Sequence, residues 1–147
     1  MIIEVVQRTF FRRDRNRQVL IGLLEDDLAI QEMLRLLFQS EGHKVSIYST
    51  ATDCLAYLQI DDFSPELASP DLLLVDLHLS QATSGAEVIE RVRANPRLEH
   101  LPVILMTASA FMEKEELERL HATLLIKPFD IDTLMQLVNE LTGGAHL

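Results

Sequence analysis

From Val19 onward the chain alternates short unbroken apolar runs with longer segments in which apolar residues recur every three or four positions. Runs without internal alternation fit strands buried on both faces, and amphipathic segments between them fit helices that cover those faces. The pattern predicts five β/α units and therefore an α/β fold around a parallel sheet. Its first strand is Val19-Leu20-Ile21-Gly22-Leu23-Leu24, which stops abruptly at Glu25-Asp26-Asp27. A helix follows, with Leu28, Met33, Leu34, Leu37 and Phe38 at helical spacing and Gly42 placed to end it. Val45 to Tyr48 reads as the second strand and Thr50 to Ile60 as a helix carrying Leu55 and Leu58. The polar connection from Asp61 to Pro70 is long for such a unit.

The third strand, Asp71-Leu72-Leu73-Leu74-Val75-Asp76, again ends on a carboxylate, and its helix covers Ala86 to Ala94. Pro102 to Thr107 is the fourth strand. The helix from Met112 to His121 opens with Glu113, Glu115, Glu116 and Glu118, acids that suit the positive end of a helix dipole. Thr123 to Ile126 forms a fifth strand, followed by a Lys127-Pro128 turn and a helix from Asp130 to Leu141 that Gly143-Gly144 terminates.

At 147 residues, 48% hydrophobic, the chain is long enough for one compact domain, expected over 19–142 with a basic N-terminal extension at 1–18 and a short tail at 143–147. The formal charge of -10 repels phosphate backbones and anionic membranes, which argues against direct nucleic-acid or membrane contact. Residues 1–18 hold five arginines against Glu4 and Asp14, a net of +3, which leaves 8 basic and 21 acidic residues in the remainder. That arm reads as a solvated tail, an extra strand or a contact for an acidic partner. The single Cys54, with Leu55 and Ala56 after it, reads as a small core hydrophobe, and its solitude fits a reducing, cytoplasmic compartment. Apolar runs fall far short of a membrane span, and the N-terminal apolar residues precede the arginines, the reverse of a secretory signal.

In open α/β sheets, ligands sit outside the carboxyl ends of the strands, so the informative residues are those that close each apolar run. Here they are Glu25 and Asp26 after strand one, Asp76 after strand three, Thr107 after strand four and Lys127 after strand five. Three carboxylates without histidine or cysteine make a hard oxygen site suited to Mg²⁺. Lys127 and Thr107 are poor metal ligands but good partners for phosphoryl oxygens. The set accounts for a metal-assisted phosphoryl transfer in which Asp76 is the nucleophile. Singly, each residue has a plain structural reading as a cap, a strand end or a solvated side chain. Independent capping gives no reason for acids on strands one and three and donors on four and five.

These residues resemble the signatures of a receiver domain of bacterial two-component response regulators, over residues 19 to about 142. Leu23-Leu24-Glu25-Asp26-Asp27 resembles the family's acidic pair, Asp71 to Leu79 its phosphoacceptor strand, and Pro102 to Ala108 and Lys127-Pro128-Phe129 its two remaining signatures. The resemblance implies a flavodoxin-like fold, with a five-stranded parallel sheet of order 2-1-3-4-5 flanked by five helices. It implies that Asp76 takes a phosphoryl group from a histidine kinase or a histidine phosphotransfer protein. Asp26 would bind Mg²⁺ directly, Glu25 mainly through water, and His78 would lend its backbone carbonyl. Thr107 and Lys127 would bind the phosphoryl oxygens, Lys127-Pro128 would be cis, and Asp27 would cap the first helix. Such a chain is a phosphoacceptor switch and not an enzyme beyond its own phosphorylation and dephosphorylation. It is expected to stand alone and to signal by binding a downstream effector protein, with pairing to a second copy left open. Two positions depart from the family pattern: Ser80 stands where proline is usual, and Leu124 where an aromatic residue swings inward on activation.

The alternative is a pseudo-receiver, an interaction module that works without phosphorylation. An aspartyl-phosphate phosphatase of the haloacid dehalogenase type would need a second aspartate where His78 stands. His121 reads as a surface helix residue and not as a phosphorelay histidine, which would sit in a helical bundle.

Overall fold

The computed structural model describes residues 18–61, 63–65, 69–79, 83–108 and 112–144. The basic extension up to residue 17, Ser80 and the last three residues of the tail lie outside the described residues. Among those described, five strands and five helices alternate: β1 (Leu20–Leu24), α1 (Leu28–Ser40), β2 (Lys44–Tyr48), α2 (Ala51–Tyr57), β3 (Leu72–Asp76), α3 (Gly85–Ala94), β4 (Val103–Thr107), α4 (Lys114–Leu120), β5 (Thr123–Ile126) and α5 (Ile131–Asn139). All pairings are parallel, in the order β2-β1-β3-β4-β5, as expected.

Side chains on a strand alternate between faces, and that alternation builds two cores. Ile21, Leu23, Leu72, Leu74, Ile104 and Met106 pack with Leu34 and Phe38 of α1 and Leu134 and Val138 of α5. Leu24, Leu73, Val75, Val103 and Leu105 pack on the other face with Cys54 of α2, Val88, Ile89 and Val92 of α3, and Leu120 of α4. The strand order reverses between β1 and β3, which opens a crevice at their carboxyl ends.

Several sequence expectations need correction. Leu28 and Met33 do not face the core but are 75% and 46% exposed. At about 100° per residue the inward face of α1 centres on Leu34 and Phe38, and Met33 falls about 140° from Phe38. Helix α2 ends at Tyr57, short of Ile60, because Gln59 turns into the left-handed region at φ 56. Its inward residues are Ala51 and Cys54, with Leu58 buried just beyond, whereas Leu55 is half-buried. Helix α4 starts two residues later than expected, at Lys114, and His121 ends it as an exposed left-handed cap at φ 49. Helix α5 ends at Asn139 and passes into a π-type turn over Glu140–Gly144.

Two local expectations hold. Asp27 caps α1, its Oδ1 accepting from the N–H groups of Ala29 at 2.9 Å and Ile30 at 3.1 Å, and the Cys54 thiol is buried, which pushes its pKa up to about 12 and keeps it inert.

His43, just before β2, is buried, and its Nδ1 accepts the Val19 N–H at 3.2 Å. That bond requires an unprotonated Nδ1. Burial pushes the His43 pKa below its ordinary 6.5, with the charge of Glu41 opposing in part. A depressed histidine contributes stability that is complete above the unfolded value and lost as pH falls through the folded one. Between pH 7 and 5 the thermal midpoint of the wild type is expected to fall more steeply than that of His43→Asn, which keeps an acceptor but cannot titrate. Equal slopes in parallel melts would refute this.

Candidate functional site

Backbone pairing places every candidate side chain at the carboxyl rim of the sheet. Glu25 and Asp26 leave β1 where the Glu25 N–H donates to the Tyr48 carbonyl at 3.0 Å, so the chain is still fixed by β2 when it turns. Asp76 is the last residue of β3, in register with Met106 of β4. Thr107 closes β4, and its carbonyl accepts the Lys127 N–H at 2.7 Å, which holds the turn after β5 against it. The Lys127-Pro128 bond is cis, as expected.

At the centre of the rim Lys127 Nζ stands 3.3 Å from Glu25 Oε1 and 3.5 Å from Asp76 Oδ1. Glu25 and Thr107 are fully buried and Asp76 almost so, at 5% exposure. The second Glu25 oxygen accepts the Asp26 N–H at 3.0 Å, and Asp76 Oδ1 accepts the His78 N–H at 3.2 Å. Carboxylate oxygens of Glu25, Asp26 and Asp76 lie within 4.8 Å of one another. That span and the all-oxygen donor set suit one small hard dication, whose ligands stand about 2.1 Å from it. The structure thus brings together the side chains of four of the five residues predicted from the strand ends, and holds the fifth, Thr107, beside Lys127 through the backbone.

Burial pushes the Glu25 pKa from 4.5 up to about 7, helped by the hydrogen bond and charge of Asp76 and opposed by Lys127. A carboxyl group raised in this way binds protons in the folded state that the unfolded chain has released, so its contribution to stability falls as pH rises from 4.5 towards 7. The sign is opposite to that of His43. A divalent cation reverses the balance, because its charge favours the ionised carboxylates.

Two features at the rim escaped the sequence. The resemblance implies only a backbone role for His78, yet the imidazole Nε2 of this exposed residue stands 3.4 Å from Thr107 Oγ1. Gly85, the first residue of α3, lies so close to Asp76 that a Cβ there would come within 2.2 Å of the Asp76 carbonyl oxygen. No spacing rule signals either contact, since each joins two strands or a strand and a helix.

Residues 21–139 match the response regulator receiver domain family. The chain is 31% identical over 131 residues to the phosphate regulon transcriptional regulatory protein PhoB of Rhizobium meliloti (strain 1021), covering 85% of this chain and 52% of that regulator, so it spans about half of its length. It is 32% identical over 125 residues to a 14.6 kDa protein of Leptolyngbya boryana, covering 84% of this chain and 89% of that one. The receiver domain of sensor histidine kinase PA1611 from Pseudomonas aeruginosa PAO1, solved with a magnesium ion in its active site cleft, superimposes with a TM-score of 0.71 at 22% identity, over 86% of this chain and 99% of that one. That likeness bears on the fold.

Proposed function

The chain belongs to the response regulator receiver family, and on that premise we propose that Asp76 accepts a phosphoryl group from a histidine kinase or histidine phosphotransfer protein, in a Mg²⁺-dependent reaction that alters which proteins the chain binds. The observation that carries this reading is the convergence of the Glu25, Asp26 and Asp76 carboxylates within 4.8 Å of one another, with Lys127 Nζ 3.3 Å from Glu25 Oε1 and 3.5 Å from Asp76 Oδ1.

In the transfer, an Asp76 oxygen forms a bond to phosphorus as the phosphorus–nitrogen bond to the donor imidazole breaks, and the departing ring keeps the electron pair. Glu25, Asp26 and Asp76 would hold Mg²⁺, with the His78 backbone carbonyl as a fourth protein ligand. Bound there, the ion supplies positive charge to the phosphoryl oxygens. Lys127 neutralises a further share of that charge as a point cation, and Thr107 donates its hydroxyl hydrogen to one oxygen. Burial of Asp76 and Glu25 keeps water from dispersing these fields. Among the described residues no helix is long and apolar enough to cross a membrane, which fits a cytoplasmic place of work.

The test is direct. Incubated with Mg²⁺ and acetyl phosphate, the chain is expected to gain the mass of one phosphoryl group. Absence of that gain, together with no binding of beryllofluoride in the presence of Mg²⁺, would establish the phosphorylation-independent interaction module in its place.

A further inference from the structure

Thr107 ends β4 fully buried, and its hydroxyl carries a single hydrogen. Opposite it stands the imidazole of His78, on the loop that leaves β3, with Nε2 3.4 Å from Thr107 Oγ1. The His78 backbone is fixed independently, because its N–H donates to Asp76 Oδ1 at 3.2 Å. The side chain therefore leans across the mouth of the site from one strand end to the next. A phosphoryl oxygen on Asp76 is an acceptor, and so is an unprotonated imidazole nitrogen. Both need the same hydrogen.

We propose that His78 is a positioning residue for the phosphorylation switch: its Nε2 accepts the Thr107 hydroxyl hydrogen in the unmodified chain, so a phosphoryl group on Asp76 must take Thr107 away from His78. The proposal rests on the receiver reading above and adds to it a restraint on the resting state. His78 faces solvent, so exchange of its ring for a smaller group leaves no cavity in either core. Its backbone N–H, and the carbonyl that would face the cation, remain in place.

The restraint has the weight of one neutral hydrogen bond, about 0.5–1.5 kcal/mol, which is roughly a twofold to tenfold factor in an equilibrium. Beryllofluoride with saturating Mg²⁺ stands in for the phosphoryl group, and calorimetric titration or fluorine NMR reads its affinity. His78→Ala is expected to bind it about twofold to tenfold more tightly than the wild type. His78→Gln, which places an acceptor near the position of Nε2, is expected to return the affinity to the wild-type level. In a Thr107→Ala background the His78→Ala change is expected to have no effect, since the hydrogen under competition is gone.

Unchanged or weaker binding by His78→Ala would overturn the proposal while leaving the receiver reading in place. A gain that persists without the Thr107 hydroxyl would overturn it as well, because the effect would not run through Thr107. Failure of the wild type itself to bind beryllofluoride would overturn the receiver reading and this restraint together.

Discussion

Asp76→Asn is expected to abolish the proposed gain of a phosphoryl group and to leave the chain folded, with a thermal midpoint no lower than that of the wild type. An amide oxygen of the same shape is not a nucleophile towards phosphorus, so the loss is complete and not a slowing. The folded state is spared because the site crowds three carboxylates around one lysine. Part of the upward push on Glu25 comes from the hydrogen bond and charge of Asp76. Removal of that charge leaves Lys127 paired with Glu25 alone, at 3.3 Å, and lets the Glu25 pKa fall back from about 7. The amide still offers an oxygen to the His78 N–H, which Asp76 Oδ1 now accepts. The change in stability is expected to favour the folded state by an amount on the order of 1 kcal/mol. Intact mass after incubation with acetyl phosphate and Mg²⁺ reads the first outcome, and melts at pH 7 read the second. A phosphoryl adduct on the variant would place the acceptor elsewhere; a large drop in midpoint would show that the Asp76 charge supports the fold.

The strand ends were legible because a strand buried on both faces tolerates no charge until the chain emerges from the sheet. Leu20 to Leu24 and Leu72 to Val75 therefore announce Glu25 and Asp76 by contrast alone. Helix faces were less legible. Leu28 and Met33 satisfy a helical period, but periodicity does not say which of two overlapping apolar stripes the sheet covers. Charges that act on distant backbone left no signal at all. The guanidinium of Arg93, on α3, donates to the carbonyls of Glu99 at 2.9 Å, Leu101 at 2.7 Å, Leu120 at 2.9 Å and His121 at 2.8 Å, joining the segments that enter β4 and β5.

Arg97 does the same for the connection that looked too long. It donates to the Leu58 carbonyl at 2.6 Å and the Gln59 carbonyl at 3.0 Å, and its guanidinium covers the Phe63 ring at 4.3 Å. With Arg91 bound to Asp61 at 2.9 Å, the end of α3 and the turn after it organise that loop. Leu124, in place of the usual aromatic, is half-buried on β5 in register with Leu105.

Gly85→Ala is expected to cost roughly 2–4 kcal/mol, the upper range of overpacking, and to slow phosphorylation as well. A Cβ at Gly85 would meet the Asp76 carbonyl oxygen at 2.2 Å, Asp76 C at 3.0 Å and Val75 Cγ1 at 2.8 Å. Two of these three obstacles are backbone, and that backbone is held by β4, where Asp76 pairs with Met106 and the Leu77 N–H donates to the Met106 carbonyl at 2.8 Å. The start of α3 is held too, by the Gly85 N–H donating to the Leu77 carbonyl at 3.4 Å and by the Glu87 N–H donating to the Ser84 hydroxyl oxygen at 3.3 Å. Relief therefore needs a shift of close to 1 Å in the element that carries Asp76, the proposed nucleophile, and a misplacement of that size costs up to about 100-fold in rate. Gly42→Ala is the control. Gly42 sits at φ +84 with nothing within 4 Å of a Cβ, so only the left-handed backbone opposes the change, at about 1 kcal/mol. Melts of the two variants, with phosphorylation rates from acetyl phosphate, separate the effects: loss of stability in both, loss of rate in Gly85→Ala alone. An equal rate in wild type and Gly85→Ala would mean that α3 gives way and the Asp76 end of β3 does not.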